Sequence, residues 1–117
     1  MISVIIVNFN VSKHLFNCLE SLEIFNKDTD LEVIIIDNNS TENIDIESKL
    51  ANYCLAVKFY KFSQNRGFAK AVNYGIEKSL GTKILLLNPD TLISDSTILN
   101  MSSFLDSKSE VGIVGCK

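Results

Sequence analysis

Residues 31–40 read Leu31-Glu32-Val33-Ile34-Ile35-Ile36-Asp37-Asn38-Asn39-Ser40, a nearly continuous aliphatic run that ends abruptly in a cluster of polar residues. This segment is the main indication of the fold class. A run without inside–outside alternation, such as Val33–Ile36, is typical of a central strand that is covered on both faces. Ile84–Leu87 is a second run of this kind, and we expect it to be a covered central strand as well. Both runs favour a parallel sheet between layers of helices.

The rest of the chain alternates short β-branched runs with segments of helical period. Strands are predicted at Ser3–Val7, Leu31–Ile36, Val57–Phe62, Ile84–Leu87 and Val111–Val114. Helices are predicted at Val11–Phe25 with Asn10 or Ser12 as N-cap, around Glu42–Asn52, from Phe68 to about Leu80 with Gly81 ending it, and at Asp95–Leu105. With no repeat and no linker, the pattern predicts one α/β domain over residues 1–117.

Composition excludes several classes of protein. The 117 residues are 46% hydrophobic and 21% charged, which is close to globular averages and unlike a disordered chain. The net charge of −3 lacks the basic surplus of a nucleic-acid binder. No apolar run approaches the roughly 20 residues of a membrane helix, so any membrane association is expected to be peripheral. The segment Met1–Val4 is interpreted as the start of a strand and not as a signal peptide.

Cysteine and histidine usage narrows the chemistry further. Cys18, Cys54 and Cys116 form no C-x-x-C pair, so the sequence indicates neither a disulfide framework nor a zinc site. We expect a cytoplasmic protein in a reducing compartment. His14 is the only histidine, and we interpret it as a helix-surface residue because a single histidine argues against a multi-histidine metal site.

Polar side chains follow each of the first four predicted strands. The segments are Asn8–Asn10, Asp37–Ser40, Ser63–Gly67 and Asn88–Thr91. Because ligands of open α/β sheets bind at the carboxyl ends of the strands, four such segments predict a binding site. One segment alone would be an ordinary turn, since these residue types favour turns.

The residue types at these strand ends favour a nucleotide, although neither standard glycine-rich phosphate loop is present. The carboxylate of Asp37 is suited to the ring N–H of uracil, thymine or guanine. Asn8, Asn39 and Asn65 offer amide groups that could add contacts, and the alternative for each is a simple turn former.

Asn88-Pro89-Asp90 suggests how phosphates are held. Pro89 fixes a turn and keeps Asn88 out of the helical region, which projects Asp90 from the strand end. A carboxylate and an amide oxygen suit Mg²⁺ or Mn²⁺, which bind through few protein groups plus substrate phosphates. A divalent ion is expected beside a diphosphate because the nearby cations are few: Lys13, Arg66 and Lys70.

Four segments in this order resemble the family 2 glycosyltransferases, particularly the rhamnosyltransferase-like branch. They are Ser3–Asn10, Val33–Thr41, Asn65–Ala69 and Leu85–Thr91, and Val111–Gly115 is similar to the family as well. The resemblance implies a GT-A fold, a Rossmann-like nucleotide-binding domain with a mainly parallel sheet flanked by helices. It also implies a nucleoside-diphosphate sugar as donor, specifically a dTDP- or UDP-sugar.

The resemblance also implies roles for individual residues. Asn8 and Asn10 would lie around the nucleoside, Asp37 would contact the base, and Asn65, Arg66 and Gly67 would line the pocket, with Gly67 allowing close backbone approach. Asn88-Pro89-Asp90 occupies the place of the D-x-D motif, with Asp90 as ligand of the metal and diphosphate. Asn88 departs from the strict motif, a feature that the rhamnosyltransferase-like members share.

Such enzymes transfer the sugar with inversion to an acceptor hydroxyl, which needs a general base. The resemblance places that base beyond Lys117, and Glu110 and Asp106 lie on the wrong side of the last predicted strand to replace it. We therefore expect a fragment truncated before the acceptor half, from an enzyme that acts on a saccharide or lipid-linked acceptor. Surface polysaccharide synthesis at the cytoplasmic face of the membrane is the implied setting.

Two alternatives come from other classes of protein. A response-regulator receiver domain has a similar length and a lysine that Lys117 could match, but it needs an acidic pair where this chain has Asn8 and Asn10. A nucleotide-sugar-binding module without catalysis is the other alternative, because the expected base is missing.

Overall fold

The computed structural model describes all 117 residues, and strands and helices alternate along the chain. The elements are β1 (Ile2–Asn8), α1 (Ser12–Phe25), β2 (Leu31–Asp37), α2 (Ile46–Leu50), β3 (Ala56–Lys61), α3 (Phe68–Lys78), β4 (Lys83–Leu86) and α4 (Thr97–Ser107). The first four predicted strands are therefore confirmed to within one residue at each end. No helix is both long and apolar enough to cross a membrane.

The four strands form one parallel sheet in the order β3-β2-β1-β4. In the register of β1 and β2, Val4 lies opposite Val33 and Asn8 lies opposite Asp37. All strands run in the same direction, so their carboxyl ends lie at one edge of the sheet, which we call the carboxyl edge. The α/β class is confirmed, and the polar segments that follow the strands all begin at this edge.

Helices cover the central strands on both faces. Every residue of β2 is buried, as its continuous aliphatic run predicts. One face packs against α1, whose buried residues Leu15, Leu19 and Leu22 recur at helical spacing. Full burial of each such side chain stabilises the fold by about 1.5–3 kcal/mol. The opposite face contacts α3, which brings the beginning of that helix to the carboxyl edge.

β4 corrects the prediction of a second covered strand. It pairs with β1 alone and lies at the edge of the sheet, with Ile84 40% and Leu86 52% exposed. Its residues alternate between half-buried and exposed. An aliphatic run shows that a strand is apolar, but the number of neighbouring strands depends on the rest of the sheet.

The predicted strand Val111–Val114 is wrong. These residues have no regular structure, and the backbone hydrogen bond of this segment, from Val111 N–H to the Lys108 carbonyl, closes a turn instead of joining the sheet. β-branched residues form a strand only when a partner strand satisfies their backbone groups.

The helix ends also differ from the predictions. Val11 is the residue before α1 and makes no side-chain cap, so neither Asn10 nor Ser12 is the N-cap. α2 is shorter than predicted, and Ser79 ends α3 instead of Gly81. Gly81 allows its segment to pass close to the beginning of β1. A Cβ at this position would lie 2.7 Å from the backbone nitrogen of Ser3 and 2.8 Å from the carbonyl oxygen of Met1.

Candidate functional site

The predicted site residues all lie at the carboxyl ends of the strands or in the segments that follow them, and they differ in burial. Asn8 and Asp37 are fully buried at the ends of β1 and β2. Asn39 is half-buried. The exposed members are Asn10, Asn65, Arg66, Gly67, Asn88 and Asp90.

The two buried residues form a network with Ser40. The Asn8 amide donates from Nδ2 to Asp37 Oδ1 at 2.9 Å. Ser40 donates its backbone N–H to Asp37 Oδ2 at 2.9 Å and its hydroxyl to Oδ1 at 2.6 Å. Both carboxylate oxygens are thus engaged inside the protein, and Asp37 joins the loops that follow β1 and β2. A contact between Asp37 and a nucleobase stays a prediction, and it would require these hydrogen bonds to rearrange.

Asn10 and Asn39 have positive φ angles of 55° and 67°, which asparagine tolerates better than most residues. Asn10 is tied to the β2 loop from both of its groups. Its backbone N–H donates to the Ser40 hydroxyl at 2.9 Å, and its Oδ1 accepts the Thr41 backbone N–H at 2.8 Å. Both residues therefore have a clear role in shaping the loops, whether or not they also contact a ligand.

Glu42 is a residue of this edge that the sequence did not single out. Both of its carboxylate oxygens lie 3.4 Å from the backbone nitrogen of Ser12, and one of them accepts the Ser12 hydroxyl. A carboxylate is stabilised there by the free N–H groups and the dipole of the α1 N-terminus. No local spacing reveals this cap, because its two partners are 30 residues apart.

The loop after β3 presents Arg66 to solvent. The Arg66 guanidinium carbon lies 4.5 Å from the centroid of the Phe62 ring, a cation–π contact that orients the charge. Arg66 and Lys70 line the same surface depression. Glu77 is the acidic residue of this depression, so its two cations outnumber its one carboxylate, which makes this part of the edge suitable for an anionic group.

Gly67 has an unusual backbone conformation, and its close approach to a ligand stays a prediction. Its φ of 82° and ψ of 166° lie in a region that is essentially restricted to glycine. An added Cβ would meet nothing within 4 Å, so glycine is required here by the backbone conformation and not by close packing. Its N–H donates to Asn65 Oδ1 at 2.8 Å, which closes a tight turn directly before α3.

Asn38 is the second residue that the sequence did not single out. It is 4% exposed, and its Oδ1 accepts the backbone N–H of Arg66 at 2.8 Å. It thereby connects the loop after β2 with the loop after β3. An asparagine in an Asp-Asn-Asn-Ser run can form a turn or bind another loop through its side chain. The sequence contains no signal that distinguishes these two roles.

The segment Asn88–Asp90 begins where β4 meets β1. Leu87 N–H donates to the Ile5 carbonyl at 3.0 Å, and Thr91 N–H then donates to the Asn88 carbonyl at 3.1 Å. The second bond closes a β-turn with Pro89 at its second position, where proline is favoured. Asp90 is exposed, and its carboxylate has no hydrogen-bond or ion-pair partner in the protein.

The negative charge of Asp90 affects the neighbouring helix. Burial, and then the charge of Asp90, raise the pKa of the Cys18 thiol to about 11. Cys18 is therefore a neutral packing residue of α1 at ordinary pH and not a nucleophile. Cys54 and Cys116 are also free thiols but, unlike Cys18, they are exposed.

The donor set at this edge fits a metal ion that is shared with a ligand. No group of three or more histidine, cysteine or acidic side chains is arranged to hold a metal. Asp90 offers one free carboxylate, with the Asn88 amide two residues away. Mg²⁺ and Mn²⁺ commonly bind through one or two carboxylates plus substrate phosphates, so Asp90 with a diphosphate is a suitable set.

Comparisons with known proteins agree with this arrangement. The chain is 32% identical over 118 residues to the minor teichoic acid biosynthesis protein GgaB of Bacillus subtilis, covering 96% of the chain and 13% of that protein. It is 28% identical over 116 residues to the poly(ribitol-phosphate) β-N-acetylglucosaminyltransferase TarP of Staphylococcus aureus, covering 97% and 36%. The chain therefore spans well under half the length of these relatives.

Solved structures share the fold. The mannosyltransferase PcManGT of Pyrobaculum calidifontis, in complex with GDP-Man and Mn²⁺, superposes with a TM-score of 0.87 at 24% identity, covering 99% of this chain and 35% of that one. Residues 1–349 of S. aureus TarS, in complex with UDP-GlcNAc, superpose with a TM-score of 0.79 at 22% identity, covering 97% and 37%. The GT-A architecture expected from the sequence is confirmed. The model of the family described as glycosyl transferase family 2 matches residues 3–116, and the chain belongs to that family.

Proposed function

We propose that residues 1–117 bind the nucleoside-diphosphate part of a dTDP- or UDP-sugar at the carboxyl edge, as the donor-binding part of a longer glycosyltransferase. The observation that carries this proposal is the combination of a rigid buried scaffold with exposed groups suited to a diphosphate. Asn8, Asp37 and Ser40 form the scaffold, while Arg66 and Asp90 remain free to contact a ligand. UDP-GlcNAc in the TarS complex and GDP-Man in the PcManGT complex support a nucleoside-diphosphate sugar as the class of ligand.

The proposed reaction is transfer of the sugar with inversion. An acceptor hydroxyl oxygen attacks the anomeric carbon, the bond to the diphosphate breaks, and a general base takes the hydroxyl proton. Arg66 would orient and partly neutralise the diphosphate, and Asp90 would hold a Mg²⁺ or Mn²⁺ ion against it. That ion supplies charge stabilisation of the leaving diphosphate.

We assign the general base and the binding site for a saccharide or lipid-linked acceptor to a segment outside residues 1–117. Asp106, an acidic residue near the end of the chain, is paired with Lys83 at 2.6 Å and is thus not free to act as the base. The names of the relatives support a role in surface polysaccharide synthesis, and we place that role at the cytoplasmic face of the membrane.

Calorimetry with the 117-residue chain tests the proposal. We expect UDP or dTDP to bind in the presence of Mn²⁺, with ADP as the comparison nucleotide. The Asp90→Ala variant should lose most of the dependence on Mn²⁺, because it removes the free carboxylate of the Asn88-Pro89-Asp90 segment. Glu110→Ala, which removes an exposed carboxylate from the far end of the chain, is the matched control. Equal binding of all nucleotides, or an unchanged metal dependence in Asp90→Ala, would contradict the proposal.

A binding module without catalysis is the second candidate, because we assign the general base to a segment outside residues 1–117. It predicts that the chain binds UDP- or dTDP-sugars but releases no sugar from them. Turnover of the nucleotide sugar by residues 1–117 alone would exclude it. Membership of glycosyl transferase family 2 excludes the receiver-domain alternative.

A further inference from the structure

We infer that Asn38 is a positioning residue whose side chain holds the loop of residues 63–67, and with it Arg66, against the β1–β2 half of the site. Its contact with Arg66 is present without ligand, so the tether itself does not depend on the proposed function. Its effect on nucleotide binding does rest on that function.

The geometry of Asn38 fits a tether because both of its ends are anchored. Its backbone N–H donates to the Asn8 carbonyl at 2.8 Å, which fixes the residue to the end of β1. Its side-chain Oδ1 accepts the Arg66 N–H at 2.8 Å, and the residue is almost fully buried. A short buried side chain with a fixed backbone has little conformational freedom. Asn38 therefore holds the Arg66 backbone at a fixed distance from the end of β1.

Residues 63–67 have little else to hold them in place. All five are exposed. Their other contacts are local in the sequence. Gly67 N–H donates to Asn65 Oδ1, the Gly67 carbonyl accepts the Ala71 N–H at 3.3 Å in the first turn of α3, and Arg66 stacks on Phe62. By contrast, the Ser40 hydroxyl of the β2 loop accepts two hydrogen bonds from the end of β1 and its loop, from Asn8 Nδ2 at 3.3 Å and from Asn10 N–H at 2.9 Å. The bond to Asn38 is therefore the hydrogen bond that ties this segment to the rest of the carboxyl edge.

Loss of this bond should release the loop without unfolding the sheet. The fold keeps its buried strands, while Gly67 no longer has to stay in its unusual backbone conformation. A ligand that needs Arg66 in place must then restrain the loop on binding. Since one hydrogen bond contributes about 0.5–1.5 kcal/mol, the expected loss of nucleotide affinity is about 2- to 12-fold.

The test compares three variants of the 117-residue chain. Asn38→Ala removes the acceptor, and Asn38→Asp keeps an oxygen at the same place. Asn26→Ala is the matched control, since Asn26 is also 4% exposed and donates to the Leu22 carbonyl at 3.2 Å, but lies at the opposite end of the sheet. The measurements are amide hydrogen exchange of Arg66 in the free protein and calorimetric affinity for UDP and dTDP with Mn²⁺.

Asn38→Ala should exchange the Arg66 amide at least fivefold faster than the unmodified chain, with β1 protection kept, and should bind the nucleotide about 2- to 12-fold more weakly. Asn38→Asp should restore slow exchange at Arg66, and Asn26→Ala should change neither readout. Unchanged exchange at Arg66 in Asn38→Ala would overturn the tether. Weaker binding with unchanged exchange would show that Asn38 contacts the ligand itself.

Failure of the proposed function has a different signature. If the unmodified chain binds neither nucleotide, the proposed donor site is wrong. The exchange rate of Arg66 in the free protein then still decides whether Asn38 restrains the loop.

Discussion

Glu32 keeps a charge inside the sheet by gathering hydrogen-bond donors from three directions. Its Oε1 accepts the Ser3 hydroxyl and the Leu80 N–H, both at 2.6 Å, and its Oε2 pairs with Lys58 at 2.9 Å. Burial by itself would raise the pKa of Glu32, but the hydrogen bonds from these groups and the charge of Lys58 lower it to about 2 from 4.5. Glu32 thus links β1, β3 and the connection before β4 through one carboxylate.

This network predicts a specific loss of stability in acid. The folded-state pKa lies below the unfolded value, so the stabilisation is complete above about pH 4.5 and is lost as the pH falls towards 2. At 1.36 kcal/mol per pKa unit the effect is on the order of 3 kcal/mol. Urea unfolding at several pH values should show this slope in the unmodified chain and a much flatter one in Glu32→Gln.

The control is Glu47→Gln, which removes an exposed glutamate of α2. It should keep the acid slope of the unmodified chain. The same slope in Glu32→Gln as in the unmodified chain would show that other groups cause the acid sensitivity.

Asp37 shows how far residue types alone lead towards the site. Its place after a buried strand correctly predicts that it lies at the carboxyl edge. Its burial, and the occupation of both its oxygens by Asn8 and Ser40, depend on the register of β1 and β2. The same limit explains why Asn38 and Glu42 were missed, because their partners are 28 and 30 residues away along the chain.

At the scale of elements, the strands were predictable and the helix ends were not. Strand positions follow from hydrophobic runs that are local in the sequence. The first turn of α1 depends on Glu42 from another loop, and the end of α3 depends on Ser79, whose hydroxyl donates to the Ile76 carbonyl at 2.6 Å. The tail Val111–Val114 has the composition of a strand without a partner strand. The local pattern therefore misses the start of α1, which depends on a distant group, and the tail, which lacks a partner strand. The end of α3 is different, because its partner Ile76 is only three residues away and the prediction followed Gly81 instead.

The packing of α3 on the sheet depends on Gly75. A Cβ at this position would lie 2.7 Å from Cγ2 of the fully buried Ile5. We expect Gly75→Ala to push α3 away from β1. Overpacking costs about 1–3 kcal/mol and helix propensity returns roughly 1 kcal/mol, so the expected net loss of stability is up to about 2 kcal/mol. Thermal unfolding should show a lower midpoint.

The matched control is Gly112→Ala, where an added Cβ meets nothing within 4 Å. It should unfold like the unmodified chain. A Gly75→Ala variant at least as stable as that control would show that Ile5 can move aside and that the contact between α3 and β1 is loose.

At the scale of the whole molecule, the two outer strands of the sheet differ in how they meet solvent. β3 carries Lys58, which pairs with Glu32, and also the exposed Lys61, which has no ion-pair partner; a free charge of this kind discourages pairing with another chain. β4 has the sequence Lys-Ile-Leu-Leu, and its lysine is engaged by Ser102 and Asp106 of α4. Its free edge thus combines unpaired backbone groups with the exposed side chains of Ile84 and Leu86.

An exposed apolar edge strand is a template for strand pairing, so we expect the 117-residue chain to self-associate through β4 as its concentration rises. Leu86→Lys should reduce this association, because it places a charge on β4 that each added strand would have to bury. The circular dichroism spectrum should stay unchanged, since the fold is kept. Leu80→Lys removes an even more exposed leucine outside β4, and it should associate like the unmodified chain. Light scattering after size-exclusion chromatography measures the difference. An equal reduction in both variants would attribute the association to total surface hydrophobicity, and β4 would then have no special role.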